Sequence, residues 1–249
     1  MNSARILAVL AFLGCGSSTP ALQEPSAEPA SGAEQSEPGA EGAEGESPTA
    51  AEHMQHHFAM VTRARDAVIA GKPTDAQAPM GELAAGDYGI EIPEAWMRAL
   101  YDMQRTAERA AKVSELEAAA SGVAEVARQC GDCHRERVAG PDKRGDVLGY
   151  YQHEAEENLA QAMARHAWVA EQLWIGLVAP SHEAWIAGAE ALTMEWSPPP
   201  DQPAGSEFEV GINAVRQLGP RARDAQTPLA RQGVYRELIV ACGRCHGGG

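Results

Sequence analysis

Two short stretches of the chain repeat one arrangement of reactive side chains. The stretch QCGDCHRE covers residues 129–136, and the stretch ACGRCHGG covers residues 241–248, close to the end of the 249 residues. Each contains two cysteines three positions apart and a histidine directly after the second. Thiols at this spacing can form a disulfide, bind a metal ion or bond covalently to a cofactor. The histidine that follows each pair, and the distance between the pairs, distinguish these three chemistries.

Two of the three interpretations leave part of the motif without a role. A disulfide between cysteines three positions apart is more often a redox catalyst than a structural crosslink, even in an exported protein. One zinc ion bound by all four cysteines would need pairs much closer in sequence than Cys133 and Cys242, which are 109 positions apart. Neither interpretation requires the histidine that follows each pair.

The third interpretation uses every residue of both motifs. In Cys-x-x-Cys-His, the two thiols form thioether bonds with the vinyl groups of haem, and the imidazole ligates the iron. Residues three and four apart share one face of a helix, so one face can hold the macrocycle and supply an axial ligand. We therefore expect two haem c groups. Their covalent attachment sites are Cys130, Cys133, Cys242 and Cys245, and their proximal iron ligands are His134 and His246.

The pattern of apolar residues, prolines and glycines predicts helices throughout residues 52–249. In the first half the predicted helices cover about 52–70, 75–86, 93–112 and 114–136. In the second half they cover about 150–178, 181–195, 208–223 and 228–246. Four helices joined by short connections form an antiparallel bundle. Each motif therefore closes the last helix of a four-helix set.

The first helices of the two sets share one pattern of side chains. The first set has Met54, His57, Val61, Ala64 and Val68, and the second has Met163, His166, Ala170, Leu173 and Leu177, each 109 positions later. Steps of three and four residues place each set on one face of a helix. Cys130 and Cys242 are 112 positions apart. The chain is therefore interpreted as a tandem duplication, with domains at 52–138 and 139–249.

His57 and His166 are the candidate distal ligands of the two irons. They occupy matching positions in the two sets of five residues, which we call stripes. Each stripe should face the interior of its bundle, where an imidazole needs a polar partner. Met54 and Met163 are rival ligands, one turn earlier on the same stripes. A core histidine bonded to a main-chain carbonyl is the remaining alternative.

The other histidines and the tryptophans are expected to have structural roles rather than to bind iron. We expect surface positions for His53, His56, His153 and His182. We expect Trp168, Trp174 and Trp185 to pack in the core, since buried aromatic residues at helical spacing usually do.

Exported four-helix units that end in Cys-x-x-Cys-His resemble the class II c-type cytochromes, the cytochrome c-prime group. The resemblance covers residues 52–249 as two copies. It implies an all-α fold of two tandem four-helix-bundle-like units, each with a C-terminal haem motif. Histidine at positions 57 and 166 departs from that group, which commonly has an apolar residue or methionine there. The departure argues against the open iron of a gas-binding protein.

These features predict a di-haem c-type cytochrome that carries electrons between redox partners outside the cytoplasmic membrane, and not an enzyme. The alternatives are a gas-binding or gas-sensing protein with an open iron site, and a di-haem peroxidase. The net charge of −15 argues against a nucleic-acid partner and favours redox partners with a basic docking face. A homodimer is left open.

The N-terminal residues predict export and a membrane anchor. Residues 1–14 have one arginine and an apolar run that is too short to span a bilayer, as in a lipoprotein-type signal peptide. Cys15 follows and is the predicted lipidation site, on the periplasmic side of the membrane or at the cell surface. Ordinary cleavage nearby would instead leave a soluble protein. Residues 15–51 contain seven Glu and no Lys or Arg, and we interpret them as a disordered acidic linker.

Overall fold

The described part of the protein consists of α-helices and their connections. The computed structural model describes residues 49–86, 93–137, 159–194, 205 and 207–247. The helices are α1 (Ala50–Ile69), α2 (Gln77–Ala85), α3 (Glu94–Ala110), α4 (Leu116–Arg137), α5 (Leu159–Val178), α6 (His182–Thr193), α7 (Glu207–Asp224) and α8 (Pro228–Gly247). A 3-10 turn, Pro73–Ala76, leads into α2. These residues contain no strand, so the all-α prediction is confirmed for them.

The predicted helix limits agree with the structure to within two residues wherever both can be compared. Thr49 caps α1 with Glu52, Ser181 caps α6, and the Thr227 hydroxyl accepts a hydrogen bond from the Ala230 N–H of α8. Five predictions fall outside the described residues: the signal peptide, Cys15, nearly all of the linker, the boundary at 138/139 and His153.

Each half of the chain closes a ring of four helices. In the first half, α1 contacts α2, α2 contacts α3, α3 contacts α4, and α4 returns to α1. In the second half, α5 to α8 make the same four contacts in the same order. Between the halves, α4 packs on α8, α1 on α8, and α5 on α4. Buried residues of both halves belong to one continuous hydrophobic core.

Helices α4 and α8 run antiparallel across the junction of the halves. Arg244, late in α8, donates to Glu117 at the start of α4 at 2.7 Å, while Arg128 of α4 donates to Gln232 near the start of α8 at 2.7 Å. Cys130 therefore lies beside the beginning of α8, and Cys242 lies about twelve residues, or roughly 18 Å, along the axis. The two motifs occupy opposite ends of this helix pair.

Two glycines allow each motif to approach the other half of the chain. A Cβ at Gly131 would overlap the carbonyl oxygen of Leu177 in α5, and a Cβ at Gly243 would overlap that of Val68 in α1. Val68 and Leu177 are equivalent positions of the repeated stripe, and Gly131 and Gly243 are equivalent positions of the motif. The same contact is thus made twice, once in each direction, as in a symmetric dimer.

Candidate functional site

The first motif lines a small cavity between α1, α3 and α4. Its wall includes Cys130, Cys133 and His134 of α4, and Met54 and His57 of α1. Apolar side chains of α3 complete it, and its volume is about 50 Å³. The structure therefore brings together the motif, the candidate distal histidine and its rival methionine, as the sequence predicted.

The second motif lines a larger cavity between α5, α7 and α8. Cys242, Cys245 and His246 of α8 face it together with Met163 and His166 of α5. Its volume is about 450 Å³, within the roughly 300–1,000 Å³ usual for ligand pockets. We call the first cavity site 1 and the second cavity site 2.

Each site is lined in part by residues from the other half of the chain. Val178, at the end of α5, lines site 1, and Ile69, at the end of α1, lines site 2. These two residues are 109 positions apart, the same offset that separates His57 from His166. Site 2 also includes Arg65 of α1. These contributions could not be predicted from the sequence. Periodicity identifies the buried face of a helix, but it does not show which other helices pack against that face.

The candidate distal histidines are held in the neutral form. Burial lowers the pKa of His57 to about 3, with smaller effects from His53 and His56. Burial likewise lowers the pKa of His166 to about 3, with smaller effects from Arg165 and His246. Neutral imidazole has a nitrogen lone pair available at pH 7, which is the form that ligates a metal ion.

The proximal candidate of site 1 makes a hydrogen bond across the junction. The Nδ1 of His134 lies 2.8 Å from the carbonyl oxygen of Val178. A carbonyl oxygen only accepts, so Nδ1 carries the proton and donates, and Nε2 keeps its lone pair. Burial lowers the pKa of His134, and the hydrogen bond to Val178 opposes that shift.

The surroundings of Cys130 and Cys242 do not favour a redox centre, and the two pairs are too far apart for one zinc site. Burial raises the pKa of Cys130 and of Cys242 to about 12 each, so both are thiols rather than reactive thiolates at pH 7. The two cysteine pairs line different cavities, so they do not surround one zinc ion. Among the described residues, no three His, Cys, Asp or Glu side chains converge as a metal site.

One expectation about the histidines is wrong. His53 is buried, and its ring centroid lies 4.1 Å from that of His57. The two are four residues apart and so share a face of α1, a spacing that should have placed His53 inside. The surface positions expected for His56 and His182 are confirmed, as is the core position of Trp174 and Trp185. Trp168 is partly buried against the core.

A wide groove of about 1060 Å³ adjoins site 2 and shares Cys245 with it. Three arginines of the groove are paired with glutamates in the ion pairs Arg221–Glu237, Arg236–Glu237 and Arg244–Glu117. Cys245 is exposed, whereas Cys133 is half-buried. Site 2 is therefore the more open of the two sites.

Comparisons of the chain with protein-family models, with curated proteins and with solved structures found no match. None of the described helices combines the length and the apolar character that crossing a membrane requires.

Proposed function

We propose that this protein is a di-haem c-type cytochrome that transfers electrons. The observation that carries the proposal is that each Cys-x-x-Cys-His motif shares a cavity with a histidine from the first helix of its own half, the buried His57 in site 1 and the half-buried His166 in site 2. Two thiols and two imidazoles form the donor set of a covalently held, six-coordinate haem. This set is present twice, built from equivalent elements.

The residues of both sites fit haem in chemistry, and the cavity of site 2 is within the size range of ligand pockets. Cys130 and Cys133 would hold one haem with His134 and His57 as axial ligands. The corresponding residues of site 2 are Cys242, Cys245, His246 and His166. The walls of site 1, at about 50 Å³, would have to lie further apart around a macrocycle.

When bound, haem supplies reversible one-electron chemistry, and the protein sets its potential and its exposure. Helices α4 and α8 orient the thiols and the proximal imidazoles, while α1 and α5 present the distal imidazoles. A histidine in each cavity favours a closed iron, and this supports electron transfer over gas binding or peroxidase chemistry.

We also propose that the chain is a duplicated unit similar to the class II c-type cytochromes. Support comes from the matching helix contacts of the two halves and from the equivalent residues that line the two sites. Two fused bundles of this kind explain why each motif closes the fourth helix of its half.

Covalent attachment gives the direct test of the function. Protein produced with cytochrome c assembly factors should show two haem additions by mass spectrometry under denaturing conditions. Cys133→Ala should alter attachment at site 1 alone, and the matched variant Cys245→Ala should alter site 2 alone, because the pairs lie in separate cavities. Release of all haem from the unmutated protein into acidified organic solvent would refute covalent attachment.

We propose further that Cys15 carries lipid and tethers the protein outside the cytoplasmic membrane through residues 16–51. Stable anchoring needs more than one acyl chain, as a mature lipoprotein has. Cys15→Ser should move the protein from the membrane fraction to the soluble fraction with an unchanged haem spectrum, because no haem ligand is altered. Persistence of the variant in the membrane fraction would contradict lipidation.

A further inference from the structure

We propose that the main-chain carbonyl of Val178 positions the proximal ligand of site 1, so that the second half of the chain lowers the redox potential of the first haem. This inference rests on the proposed function, since it takes His134 as an iron ligand. Val178 acts through the imidazole and touches neither iron nor substrate.

The end of α5 provides an acceptor suited to this role. The last carbonyls of a helix have no partner within the helix, and they carry the negative end of its dipole. Val178 is the last residue of α5, and its oxygen lies 2.8 Å from Nδ1 of His134. An acceptor at Nδ1 fixes the tautomer and the orientation of a ligating imidazole and increases its basicity. A more basic imidazole stabilises ferric over ferrous iron and lowers the potential.

Gly131 makes the hydrogen bond possible. It lies one turn before His134 on α4, and a Cβ at this position would overlap the carbonyl oxygen of Leu177, the neighbour of Val178. Only a glycine lets α4 approach the end of α5 this closely. The distance between His134 and Val178 therefore depends on a residue that lies inside the first motif and supplies no side chain to the iron.

Site 2 lacks the same restraint within the described residues. His246 is exposed, and no hydrogen bond to its ring is formed among the residues that the structure describes. The equivalent of Val178 is Ile69, which lines site 2. The two haems should therefore have unequal potentials, with that of site 1 the lower.

The test uses Gly131→Ala in the haem-loaded protein. Loss of an outer partner of a metal-bound histidine typically changes metal affinity by about 10–100-fold. If the affinity for ferric iron falls by this factor and the affinity for ferrous iron does not, one of the two midpoint potentials should rise. The expected rise is roughly 60–120 mV, at 59 mV per tenfold change for one electron. The other potential should stay unchanged. Gly233→Ala in α8 is the matched control, because its Cβ meets no described atom within 4 Å, and it should leave both potentials unchanged.

A second measurement needs no substitution. In NMR spectra of reduced protein with 15N-labelled histidine, one proximal Nδ1–H should exchange slowly with solvent, and it should belong to His134. Rapid exchange of both proximal protons would overturn the inference, as would potentials that stay fixed or move together in a folded Gly131→Ala protein. Mass spectrometry separates the two proposals, because two attached haems with such results leave the proposed function standing, whereas no attached haem removes it.

Discussion

We expect His166→Ala to open one of the two irons to carbon monoxide and to leave the other closed. His166 faces the second motif in site 2, and it is neutral at pH 7 because burial lowers its pKa to about 3. Under the proposed function, removing the imidazole would remove the sixth ligand of one iron. Absorption spectra of the reduced variant should show carbon monoxide bound to half of the haem, while the unmutated protein should be low-spin and bind it poorly.

Three further variants make this result specific. His57→Ala should have the same effect at site 1, and His56→Ala should have none, because His56 is an exposed neighbour on the same helix. A His166→Ala protein that stays closed would point to Met163, which lines the same cavity and would then be tested by Met163→Ala. Unmutated protein that is already high-spin and fully reactive would support gas binding instead.

The second large effect concerns the ion pair that joins the two halves. Arg65 of α1 lies 2.7 Å from Glu171 of α5, and its guanidinium carbon lies 5.0 Å from the centre of the Trp174 ring. The side chain of Arg65 is 11% exposed and that of Glu171 is 33% exposed. We expect Arg65→Met to reduce the free energy of unfolding by about 3 kcal/mol, the lower end for removing one partner of a buried pair, because Glu171 stays partly hydrated. Denaturant unfolding measures the change.

An exposed ion pair between α1 and α2 provides the control, because its arginine lies on the same helix as Arg65. Arg63 and Glu82 form an ion pair at 3.5 Å with side chains 61% and 57% exposed, so Arg63→Met should change stability by less than about 1 kcal/mol. In the double variant Arg65→Met/Glu171→Met, most of the loss should be recovered, since neither charge remains. Equal losses in the two single variants would show that burial of the pair contributes nothing.

Sequence alone predicted the helices and most of the candidate site residues. The Cys-x-x-Cys-His residues can be recognised in a sequence because covalent attachment of haem requires that spacing. His57 and His166 can be recognised because residues on one helix face recur every three or four positions. His53 was misplaced although its spacing to His57 was available. Val178 and Arg65 could not be found, because their roles depend on which half packs against which. Such contacts join residues more than forty positions apart and follow from the meeting of whole helices.

The two halves of the chain differ at positions around their sites, and this difference gives the molecule a polarity that two identical units related by symmetry could not have. In a symmetric dimer of identical chains, the two sites must have the same side chains around them. In one chain that contains both sites, the side chains around them can differ. His53 beside site 1 corresponds to Ala162, and Phe58 corresponds to Ala167. With the sites roughly 18 Å apart along the axis and unequally open to solvent, an electron would have a preferred end for entry and another for exit. If the protein transfers electrons as proposed, it would then work as a directional relay rather than as two equivalent carriers.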